Sequence, residues 1–150
     1  MAVRTYQELI AWQTAELFKE EVVRLVEASI AATRDFKFRS QILEAASGVS
    51  SSIVEGFLRF RPREFAHFLD YALGSLGEAE LRLYDGIRRG YFKARDCEAA
   101  FLFARRCLTA SVRLKRSQER FGGGRRKPKP SSRAAQRSRN KRPARPPDEI

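Results

Sequence analysis

A chain of 150 residues is about one domain, and 43% hydrophobic residues suffice for a real core. The formal net charge is +12 and unevenly placed: residues 122–150 hold ten Lys/Arg against two Asp/Glu, a net +8, which leaves +4 for residues 1–121. No apolar run approaches the ~20 residues of a bilayer span, and the opening MAVRTYQELIAW has no secretory apolar stretch. A soluble cytoplasmic protein is expected, with a polyanionic partner such as nucleic acid; an acidic membrane surface is a distant third choice, since the charge is not on an amphipathic helix.

The elements follow in chain order. Thr5-Tyr6-Gln7-Glu8 has the form of a capping box, in which the Thr5 hydroxyl accepts from the Glu8 amide. A first helix is predicted from there to about Ala28. Its seam is Ala11, Ala15, Phe18, Val22 and Leu25, widened by Leu9, Trp12 and Val26. Ile30 to Arg34 reads as a connection. Asp35 is the predicted N-cap of the second helix, to about Arg59.

That helix and the next form the stretch around which the chain is organised. Ile42, Ala46, Val49, Ile53, Gly56 and Phe60 recur at spacings of four and three, as do Phe65, Leu69, Ala72, Leu76, Ala79 and Leu83. Arg61-Pro62 breaks the pattern, and Pro62 suits the first position of a new helix. Ser47, Gly48, Ser50, Ser51 and Ser52 are poor interior helix residues. They mark a weak or kinked helix, a close approach by a neighbour, or both. Gly74 and Gly77 cost about 1 kcal/mol each relative to alanine, which close packing against the serine-glycine stretch is expected to offset. The third helix is predicted to stop at about Arg89, with Gly90 supplying the left-handed terminus.

A fourth helix is predicted from about Asp96 to Phe121, with Cys97, Phe101, Ala104, Leu108 and Val112 inward. On one helix Cys97 and Cys107 stand roughly 15 Å apart, too far for a disulfide, which suits free thiols in a reducing compartment. The fold class is therefore all-α: an up-down-up-down four-helix bundle over residues 1–121. The glycine-, proline- and arginine-rich remainder, 122–150, has no aromatic residue and is expected to be disordered.

The hairpin also resembles the four-helix-bundle family of 23S ribosomal RNA intervening-sequence proteins. Gln41, Ile42, Ala45, Ala46, Ile53, Glu55 and Gly56 match the first half of its core motif. Glu64, Phe65, Phe68, Leu69, Ala72, Leu73, Gly74, Ser75, Leu76 and Glu78 match the second. Tyr6, Leu9, Trp12, Gln13 and Ala15 are similar to its first helix, and Gly90-Tyr91 to its third turn. The family often has proline where Ser50 stands and asparagine where Ser52 stands. The resemblance covers about residues 5 to 120. It implies a cytoplasmic homopentamer without enzymatic activity. It also implies distant similarity to the accessory variability proteins of diversity-generating retroelements, which bind nucleic acid and a reverse transcriptase.

Chemistry is sparse. Glu64 and His67 form a Glu-x-x-His pair, but a di-iron site needs two such pairs, and His67 is the only histidine. Glu55, Glu78 and Glu80 lack an accompanying nucleophile or oxyanion donor; cross-helix hydrogen bonds or interface pairs with arginine are the expected roles. Glu55, Gly56, Gly74, Ser75 and Glu78 are thus structural motif residues, and no catalytic residue, metal or cofactor is expected. Arg105 and Arg106 begin a basic stretch on the fourth helix. The candidate phosphate contacts are Arg113, Lys115, Arg116 and Arg120 there, and Arg125, Arg126, Lys127, Lys129, Arg133, Arg137, Arg139, Lys141 and Arg142 beyond it. RNA is the expected ligand. The competing expectation is a protein scaffold, for a reverse transcriptase for example, with a merely solvated tail.

Overall fold

The computed structural model describes residues 2–123. Residues 124–150, which hold all of the expected 122–150 tail except Gly122 and Gly123, together with its nine basic candidates from Arg125 to Lys141 and Arg142, lie outside the described residues. Five α-helices make up the fold: α1 Ile10–Ala28, α2 Ile30–Arg34, α3 Phe36–Leu58, α4 Pro62–Arg88 and α5 Glu98–Gly122. No strand occurs among the described residues. The four long helices form a ring in which α1 packs on α3 and α5, and α4 packs on the same two. This is the predicted up-down-up-down bundle, with α2 as an addition at one end.

The start of the chain differs from expectation. The Glu8 amide donates to the Thr5 carbonyl at 3.2 Å rather than to its hydroxyl. The Thr5 hydroxyl instead donates to Glu8 Oε1, and the carboxylate accepts from the Arg4 amide. The result is a single 3₁₀ turn, Tyr6–Glu8. Leu9 is extended (φ −72°, ψ 123°) and buried, so α1 starts two residues beyond that turn. Turning Leu9 into the core takes precedence over continuing the helix, since one buried leucine contributes roughly 1.5–3 kcal/mol. Ile30–Arg34, read as a connection, is a helical turn capped by Ser29, whose hydroxyl accepts from the Ala32 amide at 3.1 Å.

Asp35 caps α3 as predicted. Its Oδ1 accepts from the Phe38 amide at 3.1 Å, while Oδ2 accepts from the Tyr91 hydroxyl at 2.8 Å and from Arg89 at 3.1 Å. These bonds hold its carboxyl below the usual carboxylate range, the Phe38 amide first. The cap thereby ties the start of α3 to the turn after α4, where Gly90 has φ +75°.

The α3–α4 seam buries Ile42, Ala46, Val49, Ile53 and Gly56 against Phe65, Leu69, Ala72, Leu76, Ala79 and Leu83, as the spacing predicts. Phe60, the last predicted member, is instead 81% exposed in the turn with φ +54°. Its extended neighbour Arg61 (φ −127°) then leads into Pro62. Through the serine-rich stretch α3 runs unbroken. Ser51 donates to the Ser47 carbonyl at 2.9 Å, and buried Ser50 lies beside Glu16 of α1.

The expected close contact at Gly74 and Gly77 is not found. A Cβ on either would meet nothing within 4 Å, so both face outward. The tight approaches are at Gly48, where a Cβ would stand 2.9 Å from Ser75 Oγ, and at Gly56, where it would stand 2.7 Å from Phe65 and Phe68. On α5 the buried stripe is Ala100, Ala104, Cys107 and Ser111, continuing from Cys97 just before the helix. It is displaced from the predicted one: Leu108 is exposed, and Phe101 and Val112 are only half-buried. Small side chains bring α5 close to α1, with Leu102 and Leu108 left outside the contact.

Candidate nucleic-acid interface

The basic residues of α5 are placed by the small-residue seam on the opposite face. With Ala104, Cys107 and Ser111 inward, Arg113, Arg116 and Arg120 point to solvent. Together with Glu119 they line a shallow depression of about 770 Å³. Three guanidiniums over two turns of helix present donor forks that suit phosphate oxygens. Glu119 offsets part of their charge.

Lys115 is placed differently. Its ammonium lies 2.5 Å from Asp70 of α4 and 3.7 Å from Glu119. The hydrogen bond to Asp70, ahead of the attraction of both carboxylates, raises its pKa above the ordinary lysine value. Lys115 thus bridges α4 and α5, with its charge already matched.

Sequence order hid one contributor to this end. Arg63, near the start of α4, donates through Nε to the Gly122 carbonyl at 2.9 Å. A cation on the terminal carbonyls of α5 complements the helix dipole. The two residues are 59 apart in sequence, so only helix pairing shows the contact. A side chain at Gly122 would meet the Arg63 stem at 2.7 Å, a cue that is recognisable only after folding.

The motif residues are dispersed. Gly56 is buried against Phe65 and Phe68, and Ser75 faces Gly48. Glu55 is exposed and pairs at 3.0 Å with Arg59 of its own helix, not across helices. Glu78 and Gly74 are exposed on α4. Glu80 is half-buried between helices; burial raises its pKa and Arg105 partly counters that. Glu64 pairs with Arg61, whereas His67 Nε2 lies 3.0 Å from the Tyr71 hydroxyl, so the Glu-x-x-His residues have separate partners. Among the described residues no cluster of three or more His, Cys, Asp or Glu side chains is arranged to hold a metal ion. Cys97 and Cys107 are free and buried, and burial pushes both thiols above the ordinary range. A high pKa suppresses thiolate, which makes them poor nucleophiles. No described helix is long and apolar enough to cross a membrane.

Comparison with known proteins agrees with the hairpin motif. No curated protein sequence matches the chain. The family described as 23S rRNA-intervening sequence protein matches residues 7–108, which run from the 3₁₀ turn to the middle of α5 and leave Arg113, Arg116 and Arg120 outside. With about two-thirds of its length matched, including the α3–α4 hairpin, the chain belongs to the 23S rRNA-intervening sequence protein family.

Proposed function

We propose that this protein is a non-enzymatic, oligomeric, cytoplasmic bundle that binds RNA through the basic end of α5 and the residues that follow it. The observation that carries this reading is the outward row of Arg113, Arg116 and Arg120, continuous in the chain with ten further Lys/Arg in residues 122–150. Phosphate contacts of this kind release counterions and make affinity fall steeply with salt. With no aromatic residue among 122–150, base stacking from that segment contributes nothing, and selectivity arises from the shape of the RNA.

Self-assembly, as a pentamer, belongs to the same reading. Its support is the outer face of α4, where Gly74 and Gly77 have open space above them and Leu81 and Tyr84 are more than half exposed. Small residues beside exposed apolar ones admit a neighbouring helix at short range. Repeated basic ends on one assembly raise avidity without new contacts.

Filter binding of a structured RNA between about 50 and 200 mM salt tests the proposal, on the intact chain, on Arg113→Ala/Arg116→Ala/Arg120→Ala and on a chain ending before residue 122. The expected result is a steep salt dependence that becomes shallower in both variants. Undetectable binding by the intact chain at low salt would sink it. Light scattering checks assembly separately, and a clean monomer at micromolar concentration would remove the avidity argument.

The second reading, a scaffold for a protein such as a reverse transcriptase, is favoured by the apolar surface left exposed between α1 and α5. Recovery of a stoichiometric protein partner after nuclease treatment would support it.

A further inference from the structure

A groove of about 570 Å³ runs along the outside of the α1–α5 pair. Thr14 and Ala110 lie at its base, Gln13 and Thr109 also line it, and its flanks carry aliphatic side chains. Ile10 and Leu17, seven residues apart on α1, are 62% and 39% exposed, and Leu102 on α5 is 38% exposed. Its rim is basic: Arg105, Arg106 and Arg113 line it, and no acidic side chain among the described residues does. None of the three arginines forms an ion pair among the described residues. Arg105 also feels Glu80 on its far side, so Arg106 and Arg113 are the less compensated pair.

The groove exists because α1 and α5 meet through small side chains. Cys107 Sγ lies 3.6 Å from the Ala11 carbonyl, and Thr14 turns its hydroxyl back onto the carbonyls of Ile10 and Ala11. Such a narrow seam leaves a trough between the helix shoulders. From Leu102 to Arg113 it extends about 16 Å along α5, or three helical turns.

We infer that this groove docks an acidic amphipathic helix of a partner protein, with the partner's apolar stripe on Ile10, Leu17 and Leu102 and its carboxylates on Arg106 and Arg113. Charge complementarity selects this occupant. Three guanidiniums with no ion pair among the described residues repel a basic segment. Two helix shoulders carrying exposed aliphatic side chains match helix-in-groove recognition, in which anchors recur at i, i+3/i+4 and i+7. A nucleic acid satisfies the arginines but not Ile10, Leu17 and Leu102, because aliphatic side chains offer bases no stacking platform. The site differs from the basic end of α5 proposed above for RNA and shares only Arg113 with it.

The test uses the full chain and a fluorescein-labelled synthetic peptide of about 18 residues, long enough for five turns. It carries leucines at i, i+3, i+4 and i+7 and glutamates beside them, and its control is a scrambled peptide of identical composition. Fluorescence anisotropy is expected to give micromolar binding of the amphipathic peptide and at least tenfold weaker binding of the scrambled one. Ile10→Ser/Leu17→Ser is expected to weaken binding at least tenfold, as is Arg106→Glu, whereas Arg106→Lys retains most of it. All these residues are exposed, and circular dichroism melts verify that each variant folds. RNA filter binding by Ile10→Ser/Leu17→Ser is expected to be unchanged. Equal binding of both peptides, no effect of Ile10→Ser/Leu17→Ser, or a parallel loss of RNA binding in that variant would each overturn the inference in favour of a general polyanion surface.

Discussion

The α3–α4 and α1–α5 seams solve the same packing problem with different residues. Between α3 and α4, large aliphatic side chains interdigitate, and glycines at 48 and 56 make room for Ser75, Phe65 and Phe68. On the α5 side of the α1–α5 seam, alanine, cysteine and serine are buried and Leu102 and Leu108 remain outside, while α1 turns Phe18, Val22 and Leu25 inward. The first seam consumes its apolar surface in folding. The second leaves apolar and basic surface on view. Stability therefore concentrates in the hairpin, and surface chemistry concentrates on α5.

Core truncation gives the largest predicted contrast. Ile53→Ala or Leu69→Ala, both fully buried in the hairpin, should cost about 2–5 kcal/mol in denaturant unfolding. Cys107→Ala, equally buried in the other seam, should cost about 1 kcal/mol because far less volume is lost. Equal costs would mean that the two seams contribute alike.

Glycines provide a sharper contrast, because the sign is predicted to reverse. Gly56→Ala puts a methyl group 2.7 Å from the Phe68 Cβ, an atom that cannot swing away, and should destabilise by about 1–2 kcal/mol. Gly74→Ala and Gly77→Ala enter open space on an exposed helix face and should each stabilise the isolated bundle by about 0.5–1 kcal/mol. Light scattering of the last two should show weaker assembly if that face joins copies.

Asp35 links the hairpin to the turn that precedes α5. Asp35→Ala should lower Tm by a few degrees, through loss of the α3 cap and of the Tyr91 and Arg89 bonds. Its folded-state pKa lies below the ordinary value of 3.8. The contribution is therefore complete above pH 4 or so and disappears as pH falls through the depressed folded value. In wild type the acid loss of stability should be steeper there than in Asp35→Ala. Smallest of all, Glu55→Ala removes an exposed pair with Arg59 and should change stability by about 0.5 kcal/mol or less.

Much of this was legible in the sequence. Spacings of three and four along α3 and α4 define which side chains are buried, because a helix 23 or 27 residues long repeats its face many times. Asp35, Pro62 and Gly90 mark boundaries through local backbone chemistry, which needs no neighbour. The inward face of α5 was not legible. Alanine, cysteine and serine carry a weak hydrophobic signal, so the pattern there pointed to Leu108 and Val112 instead. The 3₁₀ start was missed for a related reason: the capping-box letters are present, but burial of Leu9 redirects the chain.

The four long helices, the hairpin seam, the family and the excess of positive charge follow from the amino-acid order alone, since each depends on periodicity, on local stereochemistry or on composition. Only the tertiary structure decided which glycines are crowded and which are open. It also decided that Lys115 is spent on Asp70 while Arg113, Arg116 and Arg120 face outward, and that a basic-rimmed apolar groove lies between α1 and α5. Those outcomes depend on the distance between helices remote in sequence, which is set by the side chains packed between them.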